Sequence, residues 1–404
     1  MSLKDWVKHR HYGWVIAIAM LLVQTVSSGL GFYNMSVYMS FFARELDASL
    51  DAISLSVSLF FISGGVAGLF VARLLERWDI RTIMVIGASV SGVALLLIGR
   101  TSNLYELYAL FTLFGIGNTG VSIVVATSLI TQWFPDERRS VALSISSTGL
   151  SLGGVLITPY TAYLFDKTGI FEAMPLLGVI FVVGIVPIVI LFIRPPVTLQ
   201  AVKETKRNFE MEYLQARKSR FFVCVTAAYV LIMAAQVGGI AHLYNRVDAL
   251  GGLGVAAASI QALTLASISG RLLGGWLLTR ITIRPFLFFN LLIQLLGLLL
   301  IGFSEMSEVA IMSSIFFGFS VGNLLMLQPL WLAEIYPSNI YPRLFALSNA
   351  YSVIGVAFGP YLLGLAYVNS DYSVAYLVAS VVSLTALVII YAAGEPMRKA
   401  ESKL

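Results

Sequence analysis

The stretch ARLLERWDIR at residues 72–81 is followed, 203 residues later, by the similar stretch GWLLTRITIR at residues 275–284. Each copy carries an arginine at its sixth and tenth positions. A second pair of stretches, WFPDERR at 133–139 and IYPSNIYPR at 335–343, repeats with an offset of 202 residues between their first prolines. Offsets that agree to within one residue at two separate places indicate an internal duplication of half the chain.

The rest of the sequence is dominated by apolar stretches. Hydrophobic residues make up 58% of the chain and charged residues 12%. Stretches of 18 or more apolar residues are long enough to cross about 30 Å of hydrocarbon. The predicted spans are 12–37, 51–73, 81–99, 105–133, 140–165, 173–193, 221–245, 253–279, 285–303, 309–333, 344–368 and 374–393. We therefore expect an all-α membrane protein of twelve transmembrane helices, with an N-terminal six-helix bundle at 1–193, a cytoplasmic linker loop at 194–220 and a C-terminal six-helix bundle at 221–404.

The distribution of lysine and arginine predicts the orientation of these spans. With the N-terminus inside, 21 of the 26 basic residues fall on inside segments and four on outside segments. Inside loops of membrane proteins carry this excess of basic residues. We therefore expect a protein of the cell inner membrane with both termini in the cytoplasm. The net charge of +5 is explained by this topology, so it does not indicate nucleic-acid binding.

Arg271 is the only basic residue outside these two groups. It lies in ASISGRLLGGWLL at 266–278, nine residues from Arg280 and so about 14 Å deep in the span. An arginine stays protonated in proteins, and a charge at the centre of a bilayer costs about 3 kcal/mol or more. No acidic residue lies in this span, so the sequence predicts that an anionic substrate supplies the counter-ion. The alternative is a structural arginine that donates to backbone carbonyls.

The paired loops and twelve spans resemble the major facilitator superfamily, whose loop pattern is G-x-x-x-D-R-x-G-x-R. The first copy differs from this pattern at Ala72, Glu76 and Asp79. The second copy keeps the first glycine, Gly275, but has Thr279 at the acidic position. The resemblance implies the twelve-helix transporter fold of that superfamily, with alternating access produced by rocking of one half against the other.

Within the superfamily, several stretches resemble the monocarboxylate transporter group and its bacterial relatives, including the oxalate–formate exchangers. They are HYGWVIAIAMLL at 11–22, FFARELDASLDAISLSVSLFFISGGVAGLF at 41–70 and WFPDERRSVALSISSTGLSLGG at 133–154. Arg271 matches the substrate-binding arginine of that group. The resemblance implies that the protein transports a small carboxylate, such as lactate or pyruvate, together with a proton.

Three departures from the group bear on the substrate and on coupling. Some members carry an aspartate one turn before the arginine, where this chain has Ser267. Some carry a lysine in the first span, where this chain has none, and the oxalate exchangers carry a second cation in span eleven, where it has Tyr351 and Ser352. One membrane cation fits one carboxylate better than two, and the missing aspartate and lysine leave the coupling mechanism open.

Other polar residues are candidates to line the substrate site. Four of them lie about 12 to 18 Å from a charged end of their span by helical rise: Asn34, Asn118, Asn323 and Tyr351. Tyr33 and Gln236 complete the set, and the resemblance implies that spans one, four, seven and ten line the cavity. Interhelical hydrogen bonding is the alternative role for the asparagines of spans four and ten and for Gln236, and aromatic packing is the alternative for the two tyrosines.

His242 is the only histidine beyond the first eleven residues, and it lies about 6 Å from the outer end of span seven, four residues before Arg246. Histidine is the side chain that titrates near neutral pH. His242 is therefore the candidate for proton coupling. The alternative is an interfacial histidine in an outer vestibule, with any coupled proton carried by the substrate itself.

The charged loop residues have a separate expected role. In the family, such residues form cytoplasmic contacts between helices that lock the outward-open state, and the alternative is topology alone. The residues concerned are Glu76, Arg77, Arg81, Arg138, Arg139, Arg280 and Arg284.

Competing functions remain open at this point. An anion exchanger of the oxalate–formate type, or a carrier of a larger anionic metabolite, would use the same arginine. A non-transporting sensor or scaffold would usually carry a sizeable soluble domain, which the short ends and the loop at 194–220 do not provide. We expect no enzyme activity, no cofactor and no metal, because the sequence shows no phosphate-binding loop, no nucleophile–base set and a single cysteine, Cys224.

Overall fold

The computed structural model describes residues 3–48, 50–134, 138–195 and 206–394. The helices of the N-terminal part are α1 Leu3–Ser28, α2 Met35–Glu45, α3 Leu50–Leu74, α4 Ile80–Ile98, α5 Leu104–Thr119, α6 Ile123–Trp133, α7 Arg139–Thr168 and α8 Ile170–Phe192. The remaining helices are α9 Lys206–Lys218, α10 Arg220–Gly251, α11 Leu253–Leu277, α12 Ile283–Phe303, α13 Ser307–Ile335, α14 Tyr341–Asn369 and α15 Tyr372–Ala393. A π-helical turn, Gly29–Tyr33, connects α1 to α2.

Twelve helical segments among the described residues are long and apolar enough to cross a membrane. The first span runs through α1, the π turn and α2, His11–Met39, and the fourth runs through α5 and α6, Leu104–Trp133. Every other helix except α9 provides one span. The prediction of an all-α membrane protein with twelve spans is confirmed. No feature of the sequence predicted that the first and fourth spans are interrupted.

Contacts divide the chain into two compact units. One comprises Met1–Val202 together with Ile268–Arg280, and the other comprises Lys203–Ser267 together with Ile281–Leu404. The last part of α11 therefore packs with the helices of the first unit. The domain boundaries at 193 and 221 stay a prediction, and residues 196–205 of the predicted linker lie outside the described residues.

Corresponding helices pack in the same pairs within each unit. In the first unit α1 packs on α7, and α4 packs on both α5 and α8. In the second unit α10 packs on α14, and α12 packs on both α13 and α15. Because these helices hold the same places in the order of spans, three packing pairs of the first unit recur in the second.

The offset of 203 residues seen in the loops also occurs in the helix packing. A Cβ atom on Gly115 of α5 would lie 2.2 Å from the Phe60 carbonyl oxygen of α3. A Cβ atom on Gly318 of α13 would lie 2.2 Å from the Leu263 carbonyl oxygen of α11. Both residues of the second pair stand 203 positions after those of the first. Small residues permit such close backbone approach in membranes, so the duplication preserved a packing contact as well as a loop sequence.

Side-chain caps and glycines fix where several helices begin and end. The side chains of Asp79 and Asp371 accept hydrogen bonds from the first backbone N–H groups of α4 and α15. Ser219 does the same for α10, which ends before Gly252 at φ 79°. These caps satisfy backbone donors that a helix leaves without an internal partner.

Helix α9 lies within the stretch that the sequence predicted to be a linker loop. Its Glu210 carboxylate accepts a hydrogen bond of 2.6 Å from Arg343 at the beginning of α14. The prediction of a loop throughout 194–220 is therefore wrong for Lys206–Lys218. The stretch is too polar for a span, and a short helix in it depends on contacts with α10 and α14 that the sequence does not show.

Candidate functional site

Arg271 lies on α11 in the segment that packs with the first unit. Its side chain has no solvent-exposed surface. Nη1 donates to the main-chain carbonyl oxygen of Ser147 and, at 3.3 Å, to the hydroxyl of Ser151. Both acceptors belong to α7, so the guanidinium joins α11 to α7.

A close crossing of the two helices brings Arg271 to α7. One turn further along α11, a Cβ atom on Gly275 would lie 2.3 Å from Ser144 Oγ and 3.0 Å from the Ser140 carbonyl oxygen. Only a residue without a Cβ atom fits at this distance. Gly275 therefore sets the spacing at which the Arg271 side chain reaches Ser147 and Ser151.

Tyr33 joins the same group of residues. It is the last residue of the π turn, and its hydroxyl forms a hydrogen bond with the Ser151 side chain. Its ring lies against α7, where a Cβ atom on Gly154 would be 2.7 Å from Tyr33 Cδ1. Of the predicted site residues, the structure thus places Tyr33 beside Arg271, with Ser151 contacting both.

The two α7 acceptors that contact Arg271 carry no formal charge. They are a main-chain carbonyl and a serine hydroxyl. The sequence has no acidic residue between Asp248 and Glu305, a stretch that contains the whole of α11. The group thus combines the buried guanidinium of Arg271 with the hydroxyls of Ser151 and Tyr33. Each of these hydroxyls can donate a hydrogen bond to an oxyanion. Chemically, this set suits one small carboxylate whose second oxygen function also accepts hydrogen bonds.

Asn34 and Asn118 contact neighbouring helices of the first unit. Asn34 is fully buried, and its Nδ2 donates to Thr161 Oγ1 of α7 at 2.8 Å. The Asn118 side-chain oxygen accepts a hydrogen bond of 2.8 Å from Ser27 of α1. For Asn118 this is the interhelical contact that the sequence analysis gave as the alternative to cavity lining, and Asn34 makes a contact of the same kind.

The candidates of the second unit lie in different surroundings. Gln236 and Asn323 are buried, whereas Tyr351 is 49% exposed. Gln236 Nε2 and Asn323 Oδ1 have no hydrogen-bond partner within the described part of the chain. Asn323 Nδ2 donates to the Phe319 carbonyl oxygen of its own helix at 3.1 Å.

His242 packs on α14 within the second unit. Its Nε2 lies 3.0 Å from the Pro360 carbonyl oxygen, and its ring centroid lies 6.3 Å from that of Tyr372. A carbonyl oxygen only accepts hydrogen bonds, so Nε2 carries the hydrogen and Nδ1 is the nitrogen that can gain a proton.

Two arginines of the duplicated loops contact residues close to them in the sequence, and a third contacts another helix. In the first copy, Arg81 Nε lies 3.7 Å from Asp79 Oδ2, two residues away. In the second copy, the Arg280 guanidinium lies 4.2 Å from the centre of the Trp276 ring, and Arg284 Nη2 donates to the Tyr391 carbonyl oxygen at 3.4 Å.

The remaining loop candidates lie after span two and between spans four and five. Glu76, Arg77 and Arg138 are exposed. Arg139 Nε donates to the Phe134 carbonyl oxygen at 2.9 Å. The proposed role of these loop residues in locking one conformation stays a prediction.

Sequence reasoning missed the two serines that contact Arg271. Ser147 and Ser151 stand one turn apart in SISSTGLS at 144–151, so their spacing places them on one face of α7. It also missed a buried polar group in the second unit. There, Gln328 Nε2 donates to the hydroxyls of Ser348 and Ser352 at 2.9 and 3.1 Å.

The hydroxyl of Ser151 is expected to contribute to substrate affinity. Replacing Ser151 by alanine removes one acceptor from Arg271 and one partner from Tyr33, so KM for the carboxylate that the sequence predicts as substrate should rise about fivefold. The measurement is initial uptake into proteoliposomes over a range of substrate concentrations. Ser128 is the matched control, because its hydroxyl donates only within its own helix, to the Val124 carbonyl oxygen. An equal rise of KM in Ser128→Ala would contradict a specific role for Ser151.

The sequence profile described as Major Facilitator Superfamily matches residues 21–327 and again 249–403. The chain is 25% identical over 337 residues to YcxA, an uncharacterized MFS-type transporter of Bacillus subtilis, with 80% of this chain and 81% of that protein covered. It is 24% identical over 368 residues to NarK2, a probable nitrate/nitrite transporter of Mycobacterium tuberculosis, with 85% and 88% covered.

Two further comparisons concern a shorter match and the fold. The chain is 23% identical over 174 residues to human monocarboxylate transporter 14, which covers 42% of this chain and 33% of that protein. The crystal structure of FucP from Escherichia coli, solved in the outward conformation, superposes with a TM-score of 0.78 over 95% of this chain and 98% of FucP. At 13% identity this likeness concerns the fold alone.

Proposed function

The chain belongs to the major facilitator superfamily, and from this premise we propose that it is a secondary transporter of a small organic monocarboxylate such as lactate or pyruvate. Arg271 binds the carboxylate, and Tyr33 and Ser151 donate hydrogen bonds to the substrate's oxygen atoms. The protein lies in the cell inner membrane with both termini in the cytoplasm, as the distribution of basic residues favours. Transport proceeds by alternating access, and it is driven by a co-transported proton.

One observation carries this proposal. The guanidinium of Arg271 is fully buried in a span, and the α7 groups that contact it are neutral. A buried charge is strongly stabilised by an opposite charge that forms hydrogen bonds with it. A carboxylate provides both, and its geometry matches the planar fork of a guanidinium. An intramembrane charge of this kind is functional by default.

The names of two relatives support an anionic substrate. Monocarboxylate transporter 14 is named for organic monoanions, and NarK2 for nitrate and nitrite. Both names refer to small anions with one negative charge. A single positive side chain at the site is consistent with that charge.

Anion exchange is the second candidate function. It is favoured by Ser267, which stands one turn before Arg271 where an acidic residue could have carried a proton. Helix α11 contains no acidic residue that could carry a proton. In an exchanger, the empty site would return to its starting side by binding a second anion instead. Oxalate–formate exchange and exchange of a larger anionic metabolite both fall in this class.

An uptake panel in proteoliposomes tests the proposal and separates it from exchange. The panel contains radiolabelled lactate, pyruvate, oxalate and nitrate, with lactamide as a neutral analogue of lactate. We expect accumulation of a monocarboxylate when the outside is acidic, and no uptake of lactamide. Uptake that requires preloaded internal anion and ignores the pH gradient would establish exchange instead. Transport of nitrate without any carboxylate would contradict the organic substrate.

His242 is expected to be the proton-carrying group of the second unit. In His242→Gln the side-chain amide can still donate to the Pro360 carbonyl oxygen, but it cannot gain a proton. Accumulation driven by a pH gradient should therefore be lost, while exchange between equal concentrations of substrate on both sides continues. Both modes are measured in the same proteoliposome preparation. Unchanged gradient-driven accumulation would assign the proton to the substrate instead.

A further inference from the structure

The first span contains a π-helical turn whose hydrogen bonds differ from those of an α-helix. The Asn34 backbone N–H donates to the Gly29 carbonyl oxygen, five residues back, at 3.2 Å. In an α-helix it would donate to the Leu30 carbonyl oxygen, four residues back. That carbonyl oxygen instead accepts a hydrogen bond of 2.9 Å from the Tyr38 hydroxyl. The tyrosine therefore satisfies an acceptor that the Asn34 N–H does not reach.

Two side chains tie this turn to the rest of the first unit. The Asn34 amide donates to Thr161 of α7 at 2.8 Å and lies 3.4 Å from the Tyr38 hydroxyl. The Tyr38 ring is fully buried between aromatic rings, 6.1 Å from Phe111 and 5.9 Å from Phe165 between ring centroids. Both residues are fully buried, and these contacts lead to Thr161, to the Leu30 carbonyl and to two aromatic rings rather than to Arg271.

The corresponding helix α10 has no such turn, although it crosses α14 about as closely as α1 crosses α7. In the first unit a Cβ atom on Gly153 would lie 2.5 Å from the Thr25 carbonyl oxygen. In the second, a Cβ atom on Gly359 would lie 2.3 Å from the Ala234 carbonyl oxygen. Yet α10 continues as one α-helix from Arg220 to Gly251. The close crossing therefore does not require a π turn. The reason for the turn must be sought in a feature that only the first unit has.

The feature that only the first unit has is the position of Tyr33. It ends the π turn, and its hydroxyl reaches Ser151, which also contacts Arg271. Successive residues of an α-helix are rotated by about 100° about the helix axis. Conversion of the π turn to α-helix would change the register of the residues after it by one residue, which is a rotation of about 100°. Tyr33 would then point about 100° away from its present direction, off Ser151.

We propose that Asn34, Tyr38 and Thr161 are positioning residues that hold the π turn of the first span in the register that places Tyr33 beside Arg271. They act on the substrate through Tyr33 and do not touch it. This assigns Asn34 a different role from the cavity lining that its depth in the sequence suggested. The inference rests on the proposed function of Arg271 and Tyr33.

Tyr38→Phe tests the inference, because it removes only the oxygen that satisfies the Leu30 carbonyl. In proteoliposome uptake of the best monocarboxylate of the panel, KM should rise about tenfold, as it should in Tyr33→Phe, while Vmax per folded protein is retained. The double variant should show the KM of either single variant, because both act through one hydroxyl. Additive increases would overturn the inference, as would an unchanged KM in Tyr38→Phe.

Matched variants separate positioning from general destabilisation. Tyr376 is also fully buried and donates through its hydroxyl to a main-chain carbonyl, that of Gly239, at 2.8 Å, but it lies in the second unit. Tyr376→Phe should leave KM unchanged, and an equal rise there would overturn the inference.

Thr161→Val should raise KM and Thr161→Ser should restore it, which keeps the test available if Tyr38→Phe does not fold. Thr161→Val with wild-type KM would count against the inference.

Two results distinguish failure of this inference from failure of the proposed function. Normal uptake by Arg271→Ala would contradict the proposed function itself. Loss of uptake in Arg271→Ala together with wild-type KM in Tyr38→Phe would overturn the positioning role alone.

Discussion

Replacing Arg271 by alanine is expected to reduce carboxylate uptake by at least about 100-fold while the protein still inserts and folds. The guanidinium is fully buried on α11, and in the proposed function its charge attracts the carboxylate out of water. Loss of a charge-assisted, bidentate hydrogen bond costs about 3 kcal/mol, which corresponds to about two orders of magnitude in affinity. The measurement is initial uptake in proteoliposomes at equal amounts of reconstituted protein.

Arg271→Lys keeps the charge but loses the planar fork, so it should retain a small part of the uptake. Arg246 is the matched control for a structural arginine. Its guanidinium donates to the Gly302 and Ser304 carbonyl oxygens at 2.9 and 2.6 Å, at the end of α12. Arg246→Ala should lower stability more than uptake per folded protein. If Arg271→Ala behaved like Arg246→Ala, with normal uptake and reduced stability, Arg271 would be a structural arginine only.

The largest expected effect on stability comes from Gly355. A Cβ atom at this position on α14 would lie 1.9 Å from the Val230 carbonyl oxygen of α10. Backbone cannot move away as a flexible side chain can, so Gly355→Ala must push the two helices apart. We expect a loss of about 3 kcal/mol or more of stability, seen as a much lower temperature of unfolding in detergent and a poor yield of folded protein.

The duplicated structure supplies a second test at the same place in the first unit. A Cβ atom on Gly149 of α7 would lie 2.2 Å from the Leu21 carbonyl oxygen of α1, so Gly149→Ala should be similarly destabilising. Gly254 is the control, because no atom lies within 4 Å of a Cβ added there on α11. Gly254→Ala should be neutral. Wild-type unfolding temperatures in both Gly355→Ala and Gly149→Ala would show that these crossings are looser than the structure has them.

The fold could be predicted because its information is distributed along the whole sequence. Twelve apolar stretches give the spans, and the offset of 203 residues between loops gives the duplication. The structure shows why that offset persists: it also relates Gly115 to Gly318, which pack on equivalent carbonyl oxygens. Helix α9 was not predictable in the same way, because its charged residues resemble a solvated loop until contacts such as Glu210 with Arg343 are known.

The candidate site could be predicted only in part, because only one of its residues is of a type that is unusual in a membrane span. Arg271 stands out as a charge in an apolar span, but serines do not. The hydroxyls of Ser144, Ser147 and Thr148 donate to carbonyl oxygens of their own helix, α7. Nothing in the sequence separates them from Ser151, whose hydroxyl contacts Arg271. The π turn was equally hidden, because a bond from residue 34 to residue 29 leaves no periodic pattern.

Equilibrium binding of a carboxylate and its carboxamide tests the central claim most directly. The ligands are the best monocarboxylate of the uptake panel and the neutral amide of the same acid, bound to purified wild-type protein and to Arg271→Gln. The wild-type protein should prefer the carboxylate by about 100-fold, and Arg271→Gln should bind both ligands with similar weak affinity. If Arg271→Gln still preferred the carboxylate by the wild-type factor, another group would recognise the charge, and Arg271 would not be the substrate-binding residue.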